Sequence, residues 1–201
     1  EFLNCLLSSK VVTVSPSHLK YIKSGLIANV GDIKSTYPGS CSGIDLSKLI
    51  SLDNLTKKSL SLNSEEDTLY ISYIGRPYIR KGFPFIIKVF ELIKKKEPSR
   101  KIVLQVIGIK KNKIINELKD KNNSNFIDII ENTNNVFFYL RKSVITIHPS
   151  LREGFGYALL EGAASGNALV TFNMIGPDSL VKNNFNGILI PYGTDPKGYA
   201  N

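Results

Sequence analysis

From Leu69 onward, short apolar runs alternate with stretches in which apolar residues recur every three or four positions. Runs of four to eight residues rich in β-branched side chains read as buried strands, and the 3.6-residue period reads as helices packed upon them. The pattern predicts strands at 69–75 (LYISYIG), 102–108 (IVLQVIG), 125–130 (NFIDII), 144–149 (VITIHP), 168–172 (ALVTF) and 187–190 (GILI). Strands separated by helical stretches imply βαβ units, hence an α/β fold with a parallel sheet covered by helices. The clearest helix is Phe83 to Lys96, where Pro84 stands in the first turn and Phe85, Ile86, Val89, Phe90 and Ile93 form one apolar stripe. Lys94, Lys95 and Lys96 close it, where positive charge suits the helix dipole.

The upstream part has a different texture. Val11 to Ser15 (VVTVS) predicts a short strand, and PSHLKYIKSGL after it predicts a helix with Pro16 near its start and Gly25 at its end. Ser35 to Leu46, with a proline, two glycines and repeated serines, reads as a connector. Ser51 to Thr68 is polar and patternless, as expected of a loop or a disordered insertion.

Two stretches carry candidate chemistry, each at a predicted strand end. YIGRPYIRKG (Tyr73 to Gly82) puts Gly75, Arg76, Arg80, Lys81 and Gly82 beyond the first strong strand. Ligands of open parallel sheets sit at the carboxyl ends of strands, and a guanidinium with an ammonium can hold a diphosphate there. SLREGFGYALLEGAASG (Ser150 to Gly166) sets Glu153 and Glu161 eight positions apart, about 12 Å along a helix. Gly154 and Gly156 leave room for a ligand to approach the backbone, at the start of a helix whose free N–H groups face the same edge. Taken singly, the first stretch also reads as a basic surface loop, and Glu153 and Glu161 as a dipole-favoured acid and a solvent-facing helix residue. GFGYAL departs from a dinucleotide fingerprint at Leu159, and no Walker-type phosphate loop occurs. His148, with only His18 as company, reads as a packed residue rather than a metal ligand or general base.

Composition narrows the partners. The chain has 201 residues, 42% hydrophobic, without the run of about 18 apolar residues that a spanning helix needs. Glu1 to Leu7 is apolar but lacks a basic flank and a small-residue cleavage site, so no signal peptide is read there. Cys5 and Cys41 are too few and too far apart for a disulfide scaffold or a zinc site, which fits a reducing cytoplasm. A net charge of +9 points to anionic partners. Without Trp and without aromatics interleaved among the cations, nucleic acid is not expected. A nucleotide, or peripheral contact with an anionic membrane at the inner face of the cell membrane, is. The clusters at Lys94 to Lys96 and at Lys110, Lys111 and Lys113 read as a solvated basic face.

HPSLREGFGYALLEGAASGNALVTFNMIGPDSLVKNNFNGILI, taken with YIGRPYIRKGF, resembles the donor-binding domain of the family 4 retaining glycosyltransferases of the GT-B fold. The shared features are a Gly-Arg, a Lys-Gly, a Pro-Ser, Glu-Gly-Phe-Gly, a second Glu eight residues after the first, and Asn-Gly before a hydrophobic strand. VVTVSPSHLKYIKSGL and CSGIDLSKL resemble the family's interdomain passage, so the likeness runs from Val11 to Pro191. It implies a Rossmann-like sheet with helices on both faces over residues 46–201, lacking the C-terminal helices, after a remnant of the acceptor-binding half and connector over 1–45. It also implies that the N-terminal acceptor domain, with its glycine-rich loop and histidine, is missing from this chain.

By that resemblance Arg76 and Lys81 bind and stabilise the departing nucleotide diphosphate. Glu153 contacts donor-sugar hydroxyls, Gly75, Gly154, Phe155, Gly156 and Tyr157 lie against sugar and phosphate, and Glu161 accepts hydrogen bonds from the ribose. The implied reaction is metal-independent, needs no cofactor, and passes a hexose from a UDP-sugar to a glycan or lipid-linked acceptor in surface polysaccharide or lipopolysaccharide synthesis. A non-catalytic nucleotide-sugar-binding module and a UDP-sugar epimerase of the same architecture are the competing readings. The chain departs from the family pattern at Ser179, where a Glu is usual beside Asp178, and at Ala168, where a proline is usual.

Overall fold

The computed structural model describes residues 7–8, 10–24, 32–35, 43–45, 47–49, 68–114, 118 and 124–201. The insertion expected at 51–68, apart from Thr68, lies outside the described residues, as do most of the 35–46 connector, Gly25 and both cysteines.

A small parallel sheet of β1 (Lys10–Thr13) and β2 (Asp32–Ser35) is joined through α1 (Pro16–Ser24). The strand expected over 11–15 stops at Thr13 because Ser15 is recruited to start the helix. Its hydroxyl accepts from the His18 amide at 3.2 Å and its carbonyl from the Leu19 amide at 3.0 Å. No strand was expected at β2, whose four residues include one apolar side chain; pairing with β1 is what makes it extended.

The main sheet is parallel throughout: β3 (Leu69–Ile74), β4 (Ile102–Ile107), β5 (Ile127–Ile130), β6 (Ser143–His148), β7 (Ala168–Phe172) and β8 (Gly187–Ile190). Its spatial order is β5-β4-β3-β6-β7-β8. The strand predicted at 125–130 begins two residues late, because Ser124–Phe126 forms a 3-10 turn before Ile127 pairs with Leu104. The chain winds outward from β3 to β5, then returns to lay β6 on the other side of β3. That reversal is a topological switch point, where the loops leaving β3 and β6 diverge and open a crevice.

Helices cover both faces. On one, α2 (Phe83–Lys96) buries Phe83, Ile86, Val89 and Phe90 against the sheet. α5 (Pro196–Tyr199) adds Tyr199, whose ring meets Phe85 at 5.3 Å and Phe172 at 5.1 Å between centroids. On the other, Phe137 and Leu140 of α3 (Val136–Leu140) pack with Ile107, and α4 (Tyr157–Ala164) follows β6. α4 comes close because Gly162 has no side chain: a Cβ there would lie 2.5 Å from the Thr146 hydroxyl. Thr146 in turn takes part in a buried polar row with Ser72 at 2.9 Å and Asn167 at 3.0 Å, so the helix is held at a defined height above the strand.

Candidate functional site

The chain leaving β3 is folded tightly around one phenol. The Tyr73 hydroxyl reaches the carbonyls of Arg76 at 3.2 Å and Lys81 at 3.1 Å, tying both ends of the loop. Burial, with the Glu153 charge nearby, holds that phenol protonated by raising its pKa. Gly75 is where the ring needs space, since a Cβ would lie 2.7 Å from the Tyr73 oxygen. A 3-10 turn, Ile79–Lys81, then ends on Gly82, whose φ of 75° is left-handed and which also caps α2. A Cβ at Gly82 would sit 2.1 Å from the Pro149 carbonyl oxygen. The loop leaving β3 is therefore pressed against the loop leaving β6.

The second loop is anchored from its own side. Ser150, fully buried, donates its hydroxyl to the carbonyls of Arg80 at 3.0 Å and Arg152 at 3.1 Å, and the Leu151 amide donates to Arg80 at 2.8 Å. Chain direction then turns through Gly154, Phe155 and Gly156 into α4, with Gly156 in the left-handed region at φ 100° as its N-cap. Phe155 is buried and edge-on to Tyr157.

What these two loops bring together is an ion cluster. Glu153 Oε1 accepts from Lys81 Nζ and, at 2.8 Å, from Nε2 of His148, the last residue of β6. His148 is buried, as the sequence predicts of a packed residue, and the contact with Glu153 is what the sequence does not show. Its strand-end position was the available signal, but its partner lies in the loop that turns back over it. Burial would raise the Glu153 pKa, but hydrogen bonds and charge from His148 and from Lys81 outweigh that and hold it at about 2.

A carboxyl whose pKa is depressed by folding stabilises the native state above its unfolded value, near 4.5, and loses that contribution as pH falls toward 2. At about 1.4 kcal/mol per unit this amounts to about 3 kcal/mol. Urea unfolding across that pH window should therefore show a steeper loss of stability for the wild type than for Glu153→Gln. Equal slopes would mean that the cluster does not form.

The two predicted acids each line a cavity. One, of about 540 Å³, is lined by Glu161 and Tyr157 of α4 together with Ile74, Ile107, Gly108, Asn134 and Phe137. Burial raises the pKa of Glu161. The other, of about 810 Å³, is lined by Lys81, Glu153 and Gly154, by Arg80 and Arg152, and by His18, Tyr21 and Tyr192. The two predicted acids thus line separate cavities, with Glu153 joined to Lys81. Arg76 is exposed on the β3 loop and lines neither. Ser179 lines neither as well: its hydroxyl lies 3.0 Å from that of Ser17, which accepts from the Gly176 amide at 2.9 Å, so this position docks α1 onto the sheet domain. Among the described residues, no group of three or more His, Cys, Asp or Glu is placed to share a metal ion, and no helix is long and apolar enough to cross a membrane.

The family model for glycosyl transferases group 1 matches residues 56–201. The chain is 27% identical over 205 residues to the capsular polysaccharide biosynthesis glycosyltransferase CapM of Staphylococcus aureus, covering 96% of this chain and 51% of CapM. It is 27% identical over 156 residues to the UDP-Gal:alpha-D-GlcNAc-diphosphoundecaprenol alpha-1,3-galactosyltransferase of Escherichia coli, covering 74% of this chain and 39% of that enzyme. Among solved structures, S. aureus TarM in complex with fondaparinux, alpha-GlcNAc-glycerol and UDP superposes with a TM-score of 0.75 at 20% identity, over 99% of this chain and 37% of TarM. The chain spans about half the length, or less, of the curated relatives it matches. The fold, a six-stranded parallel sheet with helices on both faces, is the one found in these GT-B glycosyltransferase structures.

Proposed function

The chain belongs to the glycosyl transferases group 1 family, and on that premise we propose that it is the donor domain of a retaining, metal-independent family 4 hexosyltransferase using a UDP-hexose. The intact protein would pass the sugar to a glycan or lipid-linked acceptor in surface polysaccharide or lipopolysaccharide synthesis. Its acceptor-binding half would precede residue 46 in the chain. The observation that carries this reading is the meeting of Lys81 and Glu153 across the switch point, with Glu161 lining a cavity that also takes in the ends of β3 and β4.

The roles follow from charge and reach. Glu161 would accept the two ribose hydroxyls, and Ile107, Gly108 and Phe137 would flank the nucleoside. Lys81, with Arg76 swinging in from the exposed loop, would meet the diphosphate, supplying the positive charge that a divalent ion supplies elsewhere. Glu153, fixed by His148, would accept hydrogen bonds from the donor sugar. In the transfer itself the bond from the anomeric carbon to the diphosphate oxygen breaks and its electron pair leaves with UDP. The acceptor oxygen bonds to that carbon on the same face, and the acceptor proton passes to the departing phosphate. Two similar proteins support UDP as the nucleotide: the E. coli relative is named for UDP-Gal, and TarM was crystallised with UDP.

Calorimetric titration of UDP and GDP against the chain tests the site. UDP should bind, and Glu161→Ala should weaken it about 10- to 100-fold, the range for hydrogen bonds to a charged group. Because hydrogen bonds from the ribose favour the ionised acid, wild-type affinity should also fall as pH drops through the raised pKa of Glu161. If neither nucleotide binds, or the alanine variant binds as the wild type does, the site assignment is wrong.

A further inference from the structure

The chain has two histidines. His148 binds Glu153 directly, and His18 of α1 lines the cavity of about 810 Å³ that Lys81, Glu153 and Gly154 also line. The proposed transfer uses His148 and leaves His18 without a role. Yet His18 reaches that cavity from a different part of the chain, and several contacts fix it there.

The His18 amide donates to the Ser15 hydroxyl at 3.2 Å, which sets the first turn of α1. The neighbouring Ser17 then ties that turn to the loop after β7: its hydroxyl accepts from the Gly176 amide at 2.9 Å and lies 3.0 Å from the Ser179 hydroxyl, and its amide donates to Ser179 Oγ at 3.4 Å. The corner that leads into α1 also abuts the turn after Glu153, since a Cβ on Gly154 would lie 3.1 Å from Val14 Cγ2. Two loops at the carboxyl ends of β6 and β7 therefore hold the start of α1. Ser179, where the family pattern has a Glu, is one of the groups that hold it.

The backbone of His18 is committed and its imidazole is not. Nδ1 is buried without a hydrogen-bond partner, and among the described residues neither ring nitrogen is hydrogen-bonded. The ring meets Tyr21, one turn along the same face of α1, at 6.4 Å between centroids, and Tyr21 lines the same cavity. A neutral imidazole offers one donor and one acceptor, and buried polar groups are ordinarily partnered. A hexose hydroxyl also donates and accepts, so it can meet the ring whichever nitrogen carries the proton. Resting on the donor-site reading above, we propose that His18 is a further contact of the donor sugar: it hydrogen-bonds a hydroxyl of the transferred hexose from α1, while Glu153 binds the sugar from the β6 loop. Residues of the sheet domain and of α1 together then form the sugar pocket, whereas the nucleotide is held without α1.

Calorimetric titration of the chain with UDP, UDP-glucose, UDP-galactose and UDP-N-acetylglucosamine separates sugar from nucleotide. The wild type should bind UDP and at least one of the three UDP-sugars. His18→Ala should weaken the best-bound UDP-sugar by about fivefold or more, the loss of one hydrogen bond to a neutral group, and keep UDP within about twofold. His18→Phe keeps a ring beside Tyr21 but has no ring nitrogen, and it should lose the UDP-sugar as the alanine variant does. A phenylalanine variant with wild-type affinity for the UDP-sugar overturns the proposal by assigning the ring to packing. An alanine variant that keeps the UDP-sugar overturns it as well, as does one that loses UDP and the UDP-sugar by the same factor. A wild type that binds UDP and none of the UDP-sugars overturns the sugar contact and leaves the nucleotide site standing. A wild type that does not bind UDP overturns the donor-site reading, and the role of His18 with it.

Discussion

Replacing Lys81 with alanine in the intact protein should lower kcat/KM for the UDP-hexose by about 10²- to 10³-fold, the loss seen when one fixed donor to developing negative charge is removed. Most of this should fall on kcat. On the proposed reading the diphosphate charge would also be met by Arg76 and by solvent in the ground state, whereas the electron pair leaving with UDP would add charge on the oxygen facing Lys81. The fold should survive the change. Glu153 keeps its 2.8 Å partner His148, and the Lys81 carbonyl, which anchors the loop to Tyr73, belongs to the backbone. Arginine in place of lysine should restore part of the rate, since the charge returns but the compact ammonium does not. UDP release is the measurement, with and without EDTA, which should not change the wild-type rate. An alanine variant with wild-type kcat would remove Lys81 from the reaction.

Lys81 also shows where reading the sequence reaches its limit. Elements whose shape is decided locally were legible: α2 lies where its apolar stripe, Pro84 and terminal lysines put it, and β7 and β8 keep their predicted bounds. The β3 and β6 ends were legible as candidate sites, because glycines and charges cluster there. That both ends face one sheet edge was expected as well, but the direct contact between them was not. It depends on β6 settling beside β3 rather than outside β5, and strand order in a parallel sheet is set by how crossovers pack, which leaves no mark at the residues concerned. His148 is packed, as expected, but its pairing was hidden for this reason, since a ring buried at a strand end looks like core alone until Glu153 is seen above it. Ser150 was likewise invisible as a clasp: the Arg80 carbonyl that it binds belongs to the other loop, 70 residues away. Arg76 shows the opposite case, named from a motif yet exposed on its loop, away from both cavities.

The position that turns fold into site is Gly82, and Gly82→Ala should destabilise the chain by roughly 3 kcal/mol or more, well beyond an ordinary surface substitution. Two effects combine. An alanine at φ 75° enters the left-handed region, at about 1 to 2 kcal/mol. Its methyl would also need the space of the Pro149 carbonyl oxygen, 2.1 Å away, and that atom is backbone and cannot rotate aside. One of the two loops must move, and the movement pulls Lys81, the preceding residue, away from Glu153. Gly193→Ala separates the terms, because Gly193 has a similar φ of 86° and nothing within 4 Å of its Cβ position. Urea denaturation should show only the smaller, conformational loss for Gly193→Ala. At temperatures where Gly82→Ala is still folded, it should have lost the acid-side stability slope of the Glu153 cluster as well, while Gly193→Ala retains it. If the two glycine variants lose equal stability, the contact between the β3 and β6 loops is not what holds the ion cluster together.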